Sequence, residues 1–306
     1  MSFSESGLEF AKTYAKLTAL QMSQELFESE ASNFDAVLVR FNTYVNKSAM
    51  KGDRLKAILS PTTGIDHIDM EYAKSKRIKV YHLRDQKKFL KTISSTAELT
   101  VGLMLSMYRN IPNAVSSVAE GNWSAALFRG KELSGKVFGI IGCGRLGSKV
   151  AKVAVALGMK VMAYDPYKTK LPAGVVRISS LDSLLAVSDI ISLHIPLNAK
   201  TTHLIGSREI SLMKSGALII NTSRGSVIDS MPLLEALKAK NISAALDVVE
   251  YENEVLAGNR NLLIDYARKN SNLIITPHMG GTTYEGIQKT DENILNRYFR
   301  DQGLIQ

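Results

Sequence analysis

The sequence predicts an α/β fold of the doubly wound, parallel kind. Two observations carry that prediction. Short runs rich in Val, Ile and Leu alternate with helix-length amphipathic segments along nearly all of the 306 residues. The runs are continuously apolar rather than alternating, as expected of strands covered on both faces by helical crossovers.

Three such strands come early: AVLVR (36–40), LKAILS (55–60) and IKVYHL (78–83). Six follow after a gap: KVFGII (136–141), KVMAY (160–164), DIISLHI (189–195), ALIINTS (217–223), SAALDVV (243–249) and NLIITPH (272–278). The segment in the gap, SSTAELTVGLMLSMYRNIP, marks a domain boundary. It predicts a helix opening on Ser95, with Glu98 at the capping-box spacing, running to about Tyr108 and stopped by Pro112. A helix there would carry the chain from one domain into the next.

Composition narrows the class. The apolar fraction of 45% and charged fraction of 22% are those of a globular protein, and no apolar run approaches the roughly 18 residues that span a bilayer. The opening MSFSESGLEF lacks the basic stretch of a signal peptide, and the single cysteine, Cys143, forbids an intrachain disulfide. A reducing, cytoplasmic setting is the expectation. The net charge of +9 is spread along the chain, with no zinc-ligand spacing, basic arm or nucleic-acid module. An ordinary surface accounts for most of it, and a field that draws in an anionic substrate for the rest. Neither a nucleic acid nor a membrane is the expected partner.

The stretch GIIGCGRLGSKVAKVAVALGMKVMAYDPY (139–167) is the strongest local signal. A lone G-x-G-x-x-G is weak, but this one follows a strand, opens a helix and is followed by an acidic residue at a second strand's end. Asp165 lies 23 positions after Gly142. Gly142 permits the tight turn, Gly144 lets backbone approach a pyrophosphate, and Gly147 lets helix and strand pack closely. The helix N-terminus attracts the phosphate charge. Asp165 suits ribose hydroxyls and repels a 2′-phosphate, which favours NAD over NADP. The simpler reading is a glycine-rich turn with no ligand.

Three further segments sit just beyond the ends of later strands, where ligands bind in open α/β sheets: NTSRGSVID (221–229), LDVVEYENE (246–254) and TPHMGG (276–281). They contribute one arginine, several carboxylates and one histidine. A guanidinium can grip a substrate carboxylate by a planar fork. An imidazole paired with a carboxylate can handle a proton. Taken singly, an arginine at a strand end is more often a surface ion pair. Glu250 and Glu254 are close alternatives to Glu252, with spacing alone to choose among them. His82, His194 and His203 match no role, and His67, near the loop after the second strand, is the one rival histidine.

Together with LHIPLNAKTTHLI and AALDVVEYE, these motifs resemble the D-isomer-specific 2-hydroxy acid dehydrogenases, the group that includes phosphoglycerate, glycerate and formate dehydrogenases. The resemblance covers essentially the whole chain. It implies a Rossmann-type dinucleotide domain (95–284) inserted into a smaller, flavodoxin-like substrate domain (1–94 plus 285–306). It implies NAD as cofactor, a small anionic 2-hydroxy or 2-oxo acid as substrate, a cleft that closes between the domains, and a homodimer. Carried over residue by residue, Arg224 matches the substrate-binding arginine, His278 the acid/base and Glu252 its carboxylate partner. Asp247 and Thr96 match positions near the nicotinamide, and Thr63 and Gly64 those whose backbone amides meet the substrate carboxylate. Cofactor contacts are likewise implied at Gly142, Gly144, Arg145, Leu146, Gly147, Asp165, Pro196, Thr201, Thr222 and Gly280. Glutamate at 252 counts against a formate dehydrogenase, which pairs glutamine with the histidine.

Two departures stand out. The family opens with an apolar strand inside the substrate-domain sheet, whereas here residues 1–6 read as the loop into SGLEFAKTYAKL. Either the strand lies upstream, or LTAL (17–20) pairs with a new neighbour or leaves backbone groups unpaired. The loop 82–98 is also long and carries Arg84, Lys87, Lys88 and Lys91. It reads as a solvated charged loop, or as contacts for a second anionic group on the substrate. The rival function on this scaffold is a dinucleotide-sensing binding protein, like the C-terminal-binding corepressors.

Overall fold

The computed structural model describes residues 3–19 and 22–306. The chain forms two compact units, residues 1–93 with 281–306, and residues 94–280.

The first unit is built on a three-stranded parallel sheet of order β1-β2-β3, with β1 at Ala36–Leu38, β2 at Ala57–Leu59 and β3 at Lys79–Tyr81. Ala36 pairs with Ala57, and Ala57 with Lys79. Side chains on a strand alternate between faces, so β2 serves two cores. Ile58 packs with Phe27, Val45, Met50 and Ile68, while Ala57 and Leu59 pack with Tyr81, Leu295 and Phe299. The second core is covered by the helices Glu5–Tyr14 and Tyr284–Asp301. Phe10 meets the edge of Phe299 with ring centroids 5.8 Å apart.

No strand precedes β1 among the described residues, and β1 pairs directly with β2. Leu17, Thr18 and Ala19 form no strand, and Leu20, the last residue of LTAL, lies outside the described residues. The chain after β1 is tied down by a buried ion pair instead. Arg40, 5% exposed, pairs with the fully buried Asp291 of the C-terminal helix. The second carboxylate oxygen of Asp291 accepts the backbone N–H of Ser4 at 2.7 Å, and Phe3 lies over the guanidinium.

The second unit is a seven-stranded, all-parallel sheet of order β10-β9-β8-β7-β4-β5-β6. The strands are β4 (Val137–Ile141), β5 (Lys160–Tyr164), β6 (Val175–Arg177), β7 (Ile190–Leu193), β8 (Ala217–Asn221), β9 (Ile242–Leu246) and β10 (Leu273–Ile275). Winding reverses between β4 and β7, which opens the crevice where ligands bind in such sheets. One face packs on the helices Ser95–Tyr108 and Arg145–Ala156, the other on Leu181–Val187, Ser230–Lys238 and Leu262–Ala267. Every residue of β7 and β8 is buried, which is why their sequences carry no alternation.

Three local expectations need correction. Val175–Arg177 is an additional edge strand, half exposed and too short to announce itself. The helix Ser95–Tyr108 is capped by Ser94, with no side-chain cap hydrogen bond, and lies wholly in the second unit. Pro112 does not stop it. Asn110 ends it, in the left-handed conformation at φ 54°, and Pro112 sits in the first turn of the next helix, Ile111–Ala119, where its missing N–H costs nothing.

Candidate active site

The glycine-rich turn leaves β4 at Gly142, whose φ of 88° suits glycine. A Cβ there would lie 2.7 Å from the His194 carbonyl oxygen, and one at Gly147 only 2.2 Å from the Gly142 carbonyl oxygen. Both glycines are therefore required by packing. Gly144 differs. It begins the helix Arg145–Ala156, no side chain caps that helix, and a Cβ would meet nothing within 4 Å. Backbone amides at a helix N-terminus with open space above them fit a phosphate. Arg145 follows directly, half-buried, its guanidinium held below the ordinary value by desolvation. Leu146 packs into the core beneath.

Asp165 closes this turn from the end of β5. One carboxylate oxygen accepts the Cys143 amide at 2.9 Å, and the other accepts the amides of Tyr167 and Lys168 at 2.9 and 3.0 Å. A carboxylate offers about four acceptor positions, so capacity remains for a hydroxyl. After β7, the Thr201 hydroxyl donates to the Pro196 carbonyl at 2.6 Å and accepts the Asn198 amide, which folds 196–201 into a tight loop.

Beyond β8, Asn221 organises the turn that carries Arg224. Its side chain accepts the Ser223 amide and hydroxyl and donates to the Arg224 carbonyl at 2.9 Å. Arg224 is partly buried, and its Nη1 donates to the Ser223 carbonyl at 2.7 Å. Gly225 presses this turn against the segment after β9, since a Cβ would sit 1.9 Å from the Val249 carbonyl oxygen.

That segment and the turn after β10 carry the acid and the histidine. His278 Nδ1 lies 2.6 Å from Glu252 Oε2, both partly buried. Asp247, 1% exposed, accepts the Thr276 hydroxyl at 2.6 Å and the amides of Met279 and Gly280 at 2.8 Å each. Burial pushes its carboxyl above the usual range, against those three donors. The His278 amide also donates to the Asp247 carbonyl. Asp247 thus fastens the whole turn on which His278 sits, at a left-handed φ of 51°. Thr96 donates to the Gly280 carbonyl at 3.0 Å. The Thr100 hydroxyl donates to the Thr96 carbonyl and lies 2.8 Å from the Thr222 hydroxyl, so Thr222 acts as donor to it.

The alternatives singled out by spacing are otherwise engaged. Glu250, 5% exposed, meets His203 Nε2 at 2.5 Å and accepts the Ser230 amide at 3.0 Å. Burial pushes Glu250 up, but those partners outweigh it and hold it below the usual carboxylate range, while the same bond raises His203. Glu254 is exposed. The His194 ring bonds to the Ser192 hydroxyl at 2.9 Å, and desolvation pushes it down to about 4. His67 is buried against Ser60. Thr63 and Gly64 lie on the loop after β2, in the other unit. Asn221, Thr276, Thr100 and Gly225 were not singled out by motif. Their signal was position, at or just after strand ends or on the facing helix.

A family model described as "D-isomer specific 2-hydroxyacid dehydrogenase, NAD binding domain" matches residues 101–280. A D-3-phosphoglycerate dehydrogenase of Methanocaldococcus jannaschii is 42% identical over 267 residues, which is 86% of this chain and 48% of that protein. The chain thus spans about half the length of that relative. A hydroxypyruvate reductase of Thermotoga maritima is 39% identical over 274 residues, 88% of this chain and 85% of that one. Among solved structures, a D-lactate dehydrogenase from Aquifex aeolicus complexed with NAD and lactic acid superposes with a TM-score of 0.83. It is 31% identical, with 98% of this chain and 94% of that one covered.

Proposed function

The chain belongs to the D-isomer-specific 2-hydroxyacid dehydrogenase family, and from that premise we propose that it interconverts a D-2-hydroxy acid and its 2-oxo acid with NAD. The observation that carries this reading is the 2.6 Å contact between His278 Nδ1 and Glu252. With Nδ1 held by the carboxylate, Nε2 is assigned the exchange of a proton with the substrate oxygen. Glu252, bonded to Nδ1, fixes the orientation of the imidazole that takes the proton from the alcohol.

A dinucleotide held here would supply the hydride chemistry of its nicotinamide. The amides around Gly144, Arg145, Leu146 and Gly147 hold its pyrophosphate, with Gly142 making the turn. Asp165 takes the ribose hydroxyls and disfavours a 2′-phosphate. Pro196, Thr201, Thr96, Thr222, Asp247 and Gly280 would supply the dinucleotide's remaining contacts, Thr96, Asp247 and Gly280 being already joined by hydrogen bonds. Arg224 grips the substrate carboxylate through its planar fork and polarises the carbonyl that becomes the alcohol. Thr63 and Gly64 offer that carboxylate backbone amides. Residues 94–280 are the dinucleotide domain and the remainder the substrate domain.

The active form is a homodimer in the cytoplasm. The helix Ile111–Ala119 turns Ile111, Val115 and Val118 to solvent, followed by exposed Trp123 and Leu127. An apolar face of this kind on the dinucleotide domain is suited to a second copy. Among the described residues no helix is long and apolar enough to cross a membrane.

The test is NADH oxidation followed against a panel of 2-oxo acids, with His278→Gln beside the wild type. Turnover on at least one acid is expected, falling by about 10²- to 10⁴-fold in the variant with NADH affinity retained. Tight NADH binding without turnover on any acid would count against an enzyme.

A further inference from the structure

We propose that His67 is a positioning residue that sets the substrate loop through a one-way chain of hydrogen bonds. This rests on the assignment of Thr63 and Gly64 as carboxylate-binding amides. His67 is 5% exposed and closes the loop that Ser60, fully buried, opens. His67 Nε2 lies 3.2 Å from the Ser60 hydroxyl, which lies 2.8 Å from the Thr62 hydroxyl, which donates to the Gly64 carbonyl at 2.6 Å.

Proton counting fixes the direction. A carbonyl only accepts, so the single hydroxyl proton of Thr62 goes to Gly64. Ser60 then spends its proton on Thr62 and can only accept from His67. His67 must therefore carry its proton on Nε2. Losing that donor would leave Ser60 with an unmet acceptor inside the protein and slacken each later link.

The chain ends where it matters for the loop's amides. Leu83 N–H donates to the Thr62 carbonyl at 3.0 Å, and Thr62 itself holds the Gly64 carbonyl. Among the described residues none of the peptide bonds is cis. In a trans peptide the N–H points opposite to its C=O, so the Thr63 amide faces away from the Leu83 side. The Thr63–Gly64 peptide, bearing the Gly64 amide, is held between these two fixed planes. The backbone around His67 is anchored as well. The Ser60 amide donates to the Tyr81 carbonyl at 2.8 Å, and the His67 carbonyl accepts the Val45 amide at 2.8 Å. The two amides are thus aimed before any substrate arrives, which lowers the cost of binding an anion.

Two variants separate this role from plain packing. His67→Leu keeps bulk and removes the donor, while His67→Gln restores an N–H donor at a similar reach. On the 2-oxo acid that the wild type turns over, His67→Leu is expected to raise KM about tenfold. Its kcat and NADH affinity should stay close to wild type while its melting temperature falls by a few degrees, and His67→Gln should recover most of the KM and of the melting temperature. An unchanged KM in folded His67→Leu would overturn the proposal. So would a glutamine variant as poor as leucine, or a loss of NADH affinity in step with KM. Nitrogen-15 NMR of the His67 ring gives a reading that needs no turnover. A protonated Nε2 supports the chain and a bare one overturns it, even if the wild type proves inactive on every acid.

Discussion

The two units achieve order by different means. The second pairs seven parallel strands, several of them five residues long and two, β7 and β8, fully buried, so most of its backbone is satisfied within the sheet. The first pairs three strands of three residues each, and polar ties between distant parts of the chain do the rest. Arg40, Asp291 and Ser4 join the end of β1, the C-terminal helix and the N-terminal helix, and His67, Ser60 and Thr62 brace the loop after β2. A large sheet tolerates the loss of one contact, whereas a small one held by single ties does not.

Breaking the buried ion pair has the largest expected effect. Desolvation dominates at both partners, lowering Arg40 and raising Asp291 relative to their ordinary values, so the pair itself is no great source of stability. Removing one partner is another matter, because it strands the other charge out of water. Asp291→Ala should cost about 3–5 kcal/mol. Hydrogen exchange should show the loss confined to the first unit, with amides of β7 and β8 still protected. Equal loss of protection in both units would erase the contrast.

Acid tests the second unit. His194 carries a folded pKa of about 4, below the 6.5 of an unfolded histidine. As pH falls below about 6.5, the unfolded chain takes up a proton that the folded chain refuses, and stability drops until the pH nears 4. Melting curves between those values should show a downward slope that is reduced in His194→Gln. The same slope in both proteins would mean that another group governs acid sensitivity.

The smallest effect belongs to a cap. The Ser4 hydroxyl accepts the Gly7 amide at 3.1 Å at the start of the N-terminal helix. Ser4→Ala should cost about 1 kcal/mol, because the Ser4 backbone amide on Asp291 survives the substitution. A loss as large as that of Asp291→Ala would mean that the cap, rather than the ion pair, anchors this corner.

The fold was legible where burial was continuous. Runs such as ALIIN and VFGII read as strands because both faces are covered, and Val175–Arg177 escaped because an edge strand with exposed side chains lacks that signature. Pro112 was misread because proline is as much at home in a helix's first turn as after its end, and the left-handed Asn110 that does the breaking leaves no comparable mark. At the site, the resemblance pointed to Glu252 and His278, but it could not say what occupies Glu250. That took a tertiary contact with His203, 47 residues away. The chain from His67 to Gly64 was invisible for a similar reason. Serine and threonine in a loop carry no message until their single protons can be traced.

The arm after Asn110 has an optical consequence. The chain has one tryptophan, Trp123, and it stands 90% exposed beside the apolar face of the helix Ile111–Ala119. All indole fluorescence therefore comes from one spot on the surface assigned to a second copy. If the proposed dimer covers this surface, dilution should shift the emission to the red and raise its accessibility to a dissolved quencher; emission that does not change with concentration would count against that dimer.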